Sequence, residues 1–175
     1  KILREKTTEQ AIDELVTMKK RYNYKQIMLQ NNTFSVHEDE TIRFLKLYKE
    51  KVGARLRVMT HPTKMSYRLA KALKDAGCFR VQIGVQSMDP EVRKKIIKRP
   101  ETNEQVIAAF EACDKAGLGY SIDHILGLPN ETEESLQYAL RVYSKCKKLV
   151  RVTVFWLSFF PGTELVDIAK DMGII

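Results

Sequence analysis

The side chains best placed for chemistry are Gln86, in Gly84-Val85-Gln86-Ser87, and Asp123, in Ser121-Ile122-Asp123-His124-Ile125-Leu126-Gly127-Leu128-Pro129. In each phrase an apolar run that reads as a buried strand ends in polar groups and glycine just before a helix signal. That is how α/β folds build ligand sites at strand C-termini. An amide both donates and accepts, and a carboxylate accepts, so the pair suits a ribose diol. Strand alternation sets Gln82, Gly84 and Gln86 on one side, Val81, Ile83 and Val85 on the other, and Ser121 together with Asp123. Polar groups on one face of otherwise apolar strands indicate a wet cavity or a ligand. The competing reading has Gln86 and Asp123 capping nearby helices or bonding adjacent loops. Gly84 and Gly127 would let a ligand approach the backbone, or serve only as turn residues.

The elements that must carry these residues alternate with little between them. Thr7 with Gln10 forms a capping box before a helix whose apolar positions are Ala11, Ile12, Leu15, Val16 and Met18. A strand over 25–29, a helix over 39–52, a strand over 55–59 and a helix over 66–76 follow. A strand over 80–85 precedes a helix beginning near Asp89-Pro90, and Thr102 with Gln105 opens another helix that runs to Ala116. The pattern closes with a strand over 120–126, a helix over 132–145, a strand over 151–158 and a short helix from Glu164. Strand-helix alternation implies a parallel sheet with right-handed crossovers. Phe155, Trp156, Phe159 and Phe160 could stack on a base or wall a cavity, although an aromatic strand is more often core.

Composition narrows the class. At 175 residues, 44% hydrophobic and 30% charged, the chain reads as one globular domain over 1–175. No apolar run approaches a membrane span and no signal peptide opens the chain, so a cytoplasmic location is expected. Cys78, Cys113 and Cys146 are odd in number and widely spaced, which suits structural thiols in a reducing compartment. The net charge of +8 raises nucleic acid as a partner, with clusters at Arg93-Lys94-Lys95, Lys98-Arg99 and Lys145-Lys147-Lys148. A solvated helix face is the commoner origin of such runs.

Several further phrases carry a family likeness. They are Arg4 with the Thr-rich helix start, Gln30-Asn31-Asn32-Thr33-Phe34, Ala76-Gly77-Cys78-Phe79-Arg80-Val81, Gly84-Val85-Gln86-Ser87, Gly127-Leu128-Pro129 with Glu131-Thr132-Glu133-Glu134, and Phe160-Pro161-Gly162-Thr163-Glu164-Leu165. In that order and spacing the chain resembles the radical S-adenosylmethionine (radical SAM) enzymes over essentially its whole length. The likeness is strongest to cobalamin-dependent methylases and oxygen-independent coproporphyrinogen oxidases. It implies an α/β fold, a partial (β/α) barrel with outer helices, and S-adenosylmethionine at its C-terminal mouth. On this likeness Gln86 and Asp123 meet the ribose, and Lys98 or Arg99 meets the methionine carboxylate. Asn31, Asn32 and Thr33 approach the amino group, while Thr60 and His61 face the same cavity, His61 being equally readable as an ordinary loop histidine. Ser87 and Gly127 complete the cofactor-binding set.

The likeness also implies a 4Fe-4S cluster held by a CxxxCxxC loop, with cobalamin as a further cofactor in some relatives. The partners it implies are an electron donor such as flavodoxin or ferredoxin and a small-molecule or tRNA substrate. No such cysteine loop is present in this sequence, and Cys78, Cys113 and Cys146 fall in different units. The metal-ligand expectation for this chain is therefore none. The chain has no initiator Met and no strand before its first helix, so a piece of a longer protein, lacking its first strand and cluster loop, is expected. The alternatives are a tRNA-modifying relative such as a methylthiotransferase, and a noncatalytic barrel without cluster chemistry.

Overall fold

The computed structural model describes residues 6–30, 34–35 and 37–175. Helix α1 (Thr8–Tyr22) starts at a reciprocal cap in which Thr7 Oγ1 accepts from the Gln10 N–H and the Gln10 side chain accepts from the Thr7 N–H. Strand β1 (Gln26–Leu29), helix α2 (Glu38–Lys51), strand β2 (Arg55–Thr60) and helix α3 (Tyr67–Asp75) follow. Strand β3 (Cys78–Gln86) leads through a connection to α4 (Asn103–Ala116), which opens on the Thr102–Gln105 capping box. Strand β4 (Tyr120–Leu126), helix α5 (Glu133–Tyr143), strand β5 (Leu149–Trp156) and helix α6 (Glu164–Asp171) complete the chain.

All five strands are parallel, in the order β1-β2-β3-β4-β5. Crossover helices joining sequential parallel neighbours with one hand all fall on one face of the sheet, which is the wall of a partial (β/α) barrel. The core lies between that wall and the helices. Leu56 and Val58 of β2, Val81, Ile83 and Val85 of β3, and Tyr120 and Ile122 of β4 are fully buried there. They meet Ile12, Leu45, Tyr48, Leu69, Leu73, Val106 and Phe110 from the helices, each large side chain contributing about 1.5–3 kcal/mol by leaving water. Phe110 stacks on Tyr120 at a centroid distance of 5.5 Å. Cys78 and Cys113 belong to this core, where burial pushes each thiol up to about 12.

One expectation is refined and one corrected. The helix expected near Asp89-Pro90 does start there, at Pro90 and Glu91, but continues only as a single π-helical turn, Val92–Ile96. Lys98, in left-handed backbone (φ 53°), ends it, and the Arg99 N–H closes on the Arg93 carbonyl at 2.7 Å. The aromatic segment of β5 is not core. Trp156 is 76% exposed and Phe155, Phe160 and Val154 are exposed too, because β5 is a sheet edge with no strand beyond it among the described residues.

Candidate cofactor cavity

Where β2, β3 and β4 end, a cavity of about 140 Å³ opens on one side to solvent. Its polar lining comes from Thr60 and His61 at the end of β2, Gln82 and Gln86 of β3, Asp123 of β4, and Arg99 from the connection after the π turn. The two residues that strand alternation singles out therefore share one hollow. Neither caps a helix.

The backbone explains how Gln86 gets there. A bulge interrupts the β3–β4 register between Gly84 and Gln86, and Gln86 sits at φ 70°, where non-glycine residues rarely rest. Its amide folds back over Gly84, with Nε2 only 2.9 Å from the position a Cβ would occupy. A side chain at residue 84 would displace that amide. Asp123, 6% exposed, accepts a hydrogen bond from Gln82 Nε2 on Oδ2 at 2.5 Å, while Arg57 donates to Gln82 Oε1 at 2.5 Å. Asp123 Oδ1 is buried with no hydrogen-bond partner. A carboxylate fixed through one oxygen, with the other vacant beside a cavity, is ready to accept from a ligand hydroxyl.

The opposite wall is cationic. Arg99 Nη2 donates to the Gly84 carbonyl at 2.7 Å, and its Nε lies 2.9 Å from Glu101 Oε1. Burial works against the charged form of Arg99 and Glu101 beside it restores that form. Burial lowers the His61 pKa, the Arg99 charge lowers it further, and Glu101 opposes both. Thr60 is buried, with Oγ1 3.3 Å from Ser35 Oγ. Lys98 is exposed and pairs with Glu164 at 3.1 Å, whereas Arg99 lines the cavity.

The basic run is thus not a single solvated helix face. Arg93 is fully buried and donates to the carbonyls of Ser87 and Glu101 and to Asn103 Oδ1, tying the π turn to the start of α4. Lys95 pairs with Glu91 in solvent. Ser87 and Gly127 do not line the cavity. Ser87 lies on the other side of the sheet, where its hydroxyl donates to Glu131 Oε1 at 2.8 Å. Gly127, at φ 81°, turns the chain beside Trp156 and Leu157. Asn31, Asn32 and Thr33, together with Arg4, lie outside the described residues. Two contributors escape a reading of the sequence, Gln82 as the partner of Asp123 and Glu101 as the partner of Arg99. Strand alternation places Gln82 on the cavity side but does not give its bond to Asp123, and a glutamate in a connecting segment carries no signal of burial.

Among the described residues no three His, Cys, Asp or Glu side chains gather as a metal site. No helix among the described residues is long and apolar enough to cross a membrane.

With the geometry in place, comparison with known proteins gives a consistent picture. An uncharacterised methyltransferase of Pyrococcus horikoshii is 26% identical over 165 residues, which is 93% of this chain and 35% of that protein. This chain thus spans about a third of that relative. The structure of the radical S-adenosylmethionine methyltransferase TsrM from Kitasatospora setae matches 95% of this chain and 34% of its own, at 17% identity and a TM-score of 0.80. The coproporphyrinogen III oxidase HemN from Escherichia coli, described as a radical SAM enzyme, matches 92% of this chain and 40% of its own, at 22% identity and a TM-score of 0.69. The family model of the radical SAM superfamily matches residues 1–142. The chain therefore belongs to the radical SAM superfamily.

Proposed function

We propose that the cavity between β2, β3 and β4 holds S-adenosylmethionine, as part of an enzyme that uses it for radical chemistry or methyl transfer. The observation that carries this reading is the convergence of Gln86, Arg99 and Asp123 in one hollow at the strand C-termini of a radical SAM chain. The donor set fits the group. Asp123 Oδ1, a buried orphan acceptor, suits a ribose hydroxyl, and the folded-back Gln86 amide can donate to or accept from its neighbour. The Arg99 guanidinium suits the methionine carboxylate, and Thr60 adds a hydroxyl to the wall. Bound alongside a 4Fe-4S cluster, S-adenosylmethionine would be open to reductive cleavage of a carbon–sulfur bond at its sulfonium, with the one electron coming through the cluster from the reductant, or would supply a methyl group; cobalamin belongs to the proposal only as a methyl carrier in a methylase.

This chain's own share of the work is binding and orientation. Asp123 and Gln86 fix the nucleoside from the β3–β4 side, Arg99 fixes the amino-acid end, and the buried valines and isoleucines behind them keep the wall rigid. Asn31, Asn32 and Thr33 join the proposal as the amino-group end. A reductant of the flavodoxin or ferredoxin class and a small-molecule or tRNA substrate complete it.

Titration calorimetry tests the reading. The unaltered chain should bind S-adenosylmethionine and also 5′-methylthioadenosine, which keeps the nucleoside and lacks the amino acid. Asp123→Ala should weaken both by about tenfold or more. Full retention of both affinities in that variant would remove the nucleoside from this cavity.

A further inference from the structure

We propose that Glu101, which does not itself line the cavity, is a positioning residue that acts through Arg99, and that His61 orients Glu101 in turn. The inference rests on the S-adenosylmethionine reading above and assigns two residues to the carboxylate end of that site.

Glu101 is anchored before its side chain does anything. It lies in the segment between the π turn and α4, where its carbonyl accepts from the Nε of the fully buried Arg93 at 3.1 Å. Its side chain is fully buried, and Oε1 faces Arg99 Nε at 2.9 Å and His61 Nε2 at 3.4 Å. Neither contact has hydrogen-bond alignment, so Oε1 and Oε2 are both without a hydrogen-bond partner and the hold on Glu101 is that of an ion pair with Arg99 and close approach to His61. A carboxylate shut away from water is costly unless a fixed cation accompanies it, so Glu101 and Arg99 hold each other in place.

Two contacts bear on the His61 tautomer: its Nδ1 lies 2.8 Å from the Thr63 hydroxyl, which can donate or accept, and 3.3 Å from the Thr63 N–H, which can only donate, so an acceptor Nδ1 satisfies both and a donor Nδ1 only the first. The ring proton of the neutral imidazole therefore sits on Nε2, the nitrogen turned toward Glu101. A sequence of fixed groups results: the turn after β2 orients His61, His61 faces Glu101, and Glu101 faces Arg99.

The product of this arrangement is a guanidinium held at two edges. Nε is set by Glu101 and Nη2 by the Gly84 carbonyl, and Nη1 lies 3.8 Å from where a Cβ on Gly84 would stand. An arginine held in this way has little rotamer freedom left to lose when a carboxylate arrives. Glu101 therefore governs affinity for the amino-acid end of the ligand and not for its nucleoside.

The test uses the same two ligands. Glu101→Gln should weaken S-adenosylmethionine binding by about tenfold and leave 5′-methylthioadenosine binding unchanged. In an Arg99→Ala background, Glu101→Gln should cause no further loss. Equal weakening of both ligands, or of neither, in a chain that binds both would overturn the Glu101 assignment alone. Failure of the unaltered chain to bind either ligand would instead overturn the nucleoside reading and this inference with it. Should Glu101→Gln not fold, imidazole 15N shifts of His61 in the unaltered chain still decide. The Nε2–H tautomer is expected, and an Nδ1–H tautomer overturns the arrangement.

Discussion

Two polar clusters stand back to back on the same pair of strands, and adjacent residues supply them. Gln86 and Asp123 face the cavity; Ser87 and His124, each one residue later, lie on the helix side. There Ser87 donates to Glu131 Oε1, His124 Nδ1 lies 2.9 Å from the Tyr143 hydroxyl, and His124 Nε2 is 3.8 Å from Glu131 Oε1. All four side chains are nearly or wholly buried. Both sets leave a buried carboxylate oxygen without a partner, Asp123 Oδ1 in one and Glu131 Oε2 in the other, so what differs is the surroundings. The first stands beside the cavity, and the second ties the loop after β4 to the end of β3 and β4 to α5. The pleat, not the residue type, separates the ligand face from the structural one.

The contrast can be broken at either side. The largest effect is expected from Tyr143→Ala, which removes a ring packed edge-on against Phe110 and strips His124 of its partner. Urea unfolding should show a loss of about 3–5 kcal/mol, with nucleoside affinity of the remaining folded chain intact. A smaller effect of the opposite kind is expected from Gly84→Ala. Its Cβ would meet the Gln86 amide, so affinity for 5′-methylthioadenosine should drop by about 1 kcal/mol while the unfolding midpoint moves little. Loss of stability without loss of affinity in that variant would place Gln86 with the structural cluster.

The smallest effect is a slope. Burial lowers the His124 pKa and raises that of Glu131. A histidine depressed below its ordinary 6.5 contributes stability above that pH, which is lost as pH falls below it. A glutamate raised above 4.5 contributes stability below that pH, which is lost as pH rises through the folded value. Between 4.5 and 6.5 the two oppose. Removing one should expose the other, so His124→Gln should make stability fall with rising pH in that window, and Glu131→Gln should make it fall with decreasing pH. Identical pH profiles for both variants would show that burial does not shift the two groups in opposite directions.

Much of this was legible beforehand where a local rule sufficed. The reciprocal caps at Thr7 and Thr102 and the parity of Gln82, Gly84 and Gln86 need only near neighbours. Other features depend on contacts distant in sequence. Ser87 reads as part of a site until the strand's end turns it toward Glu131, whose side chain comes from beyond β4. The aromatic strand reads as core until the sheet order makes β5 an edge. Arg93 reads as part of a solvated charge run until the π turn folds it inward.

The left-handed backbone at Gln86 carries a further consequence. Glycine would rest there without steric penalty, whereas a side chain at such a position costs on the order of 1 kcal/mol. The fold is therefore less stable at this residue than it could be, and what it holds in exchange is an amide at the mouth of the barrel wall.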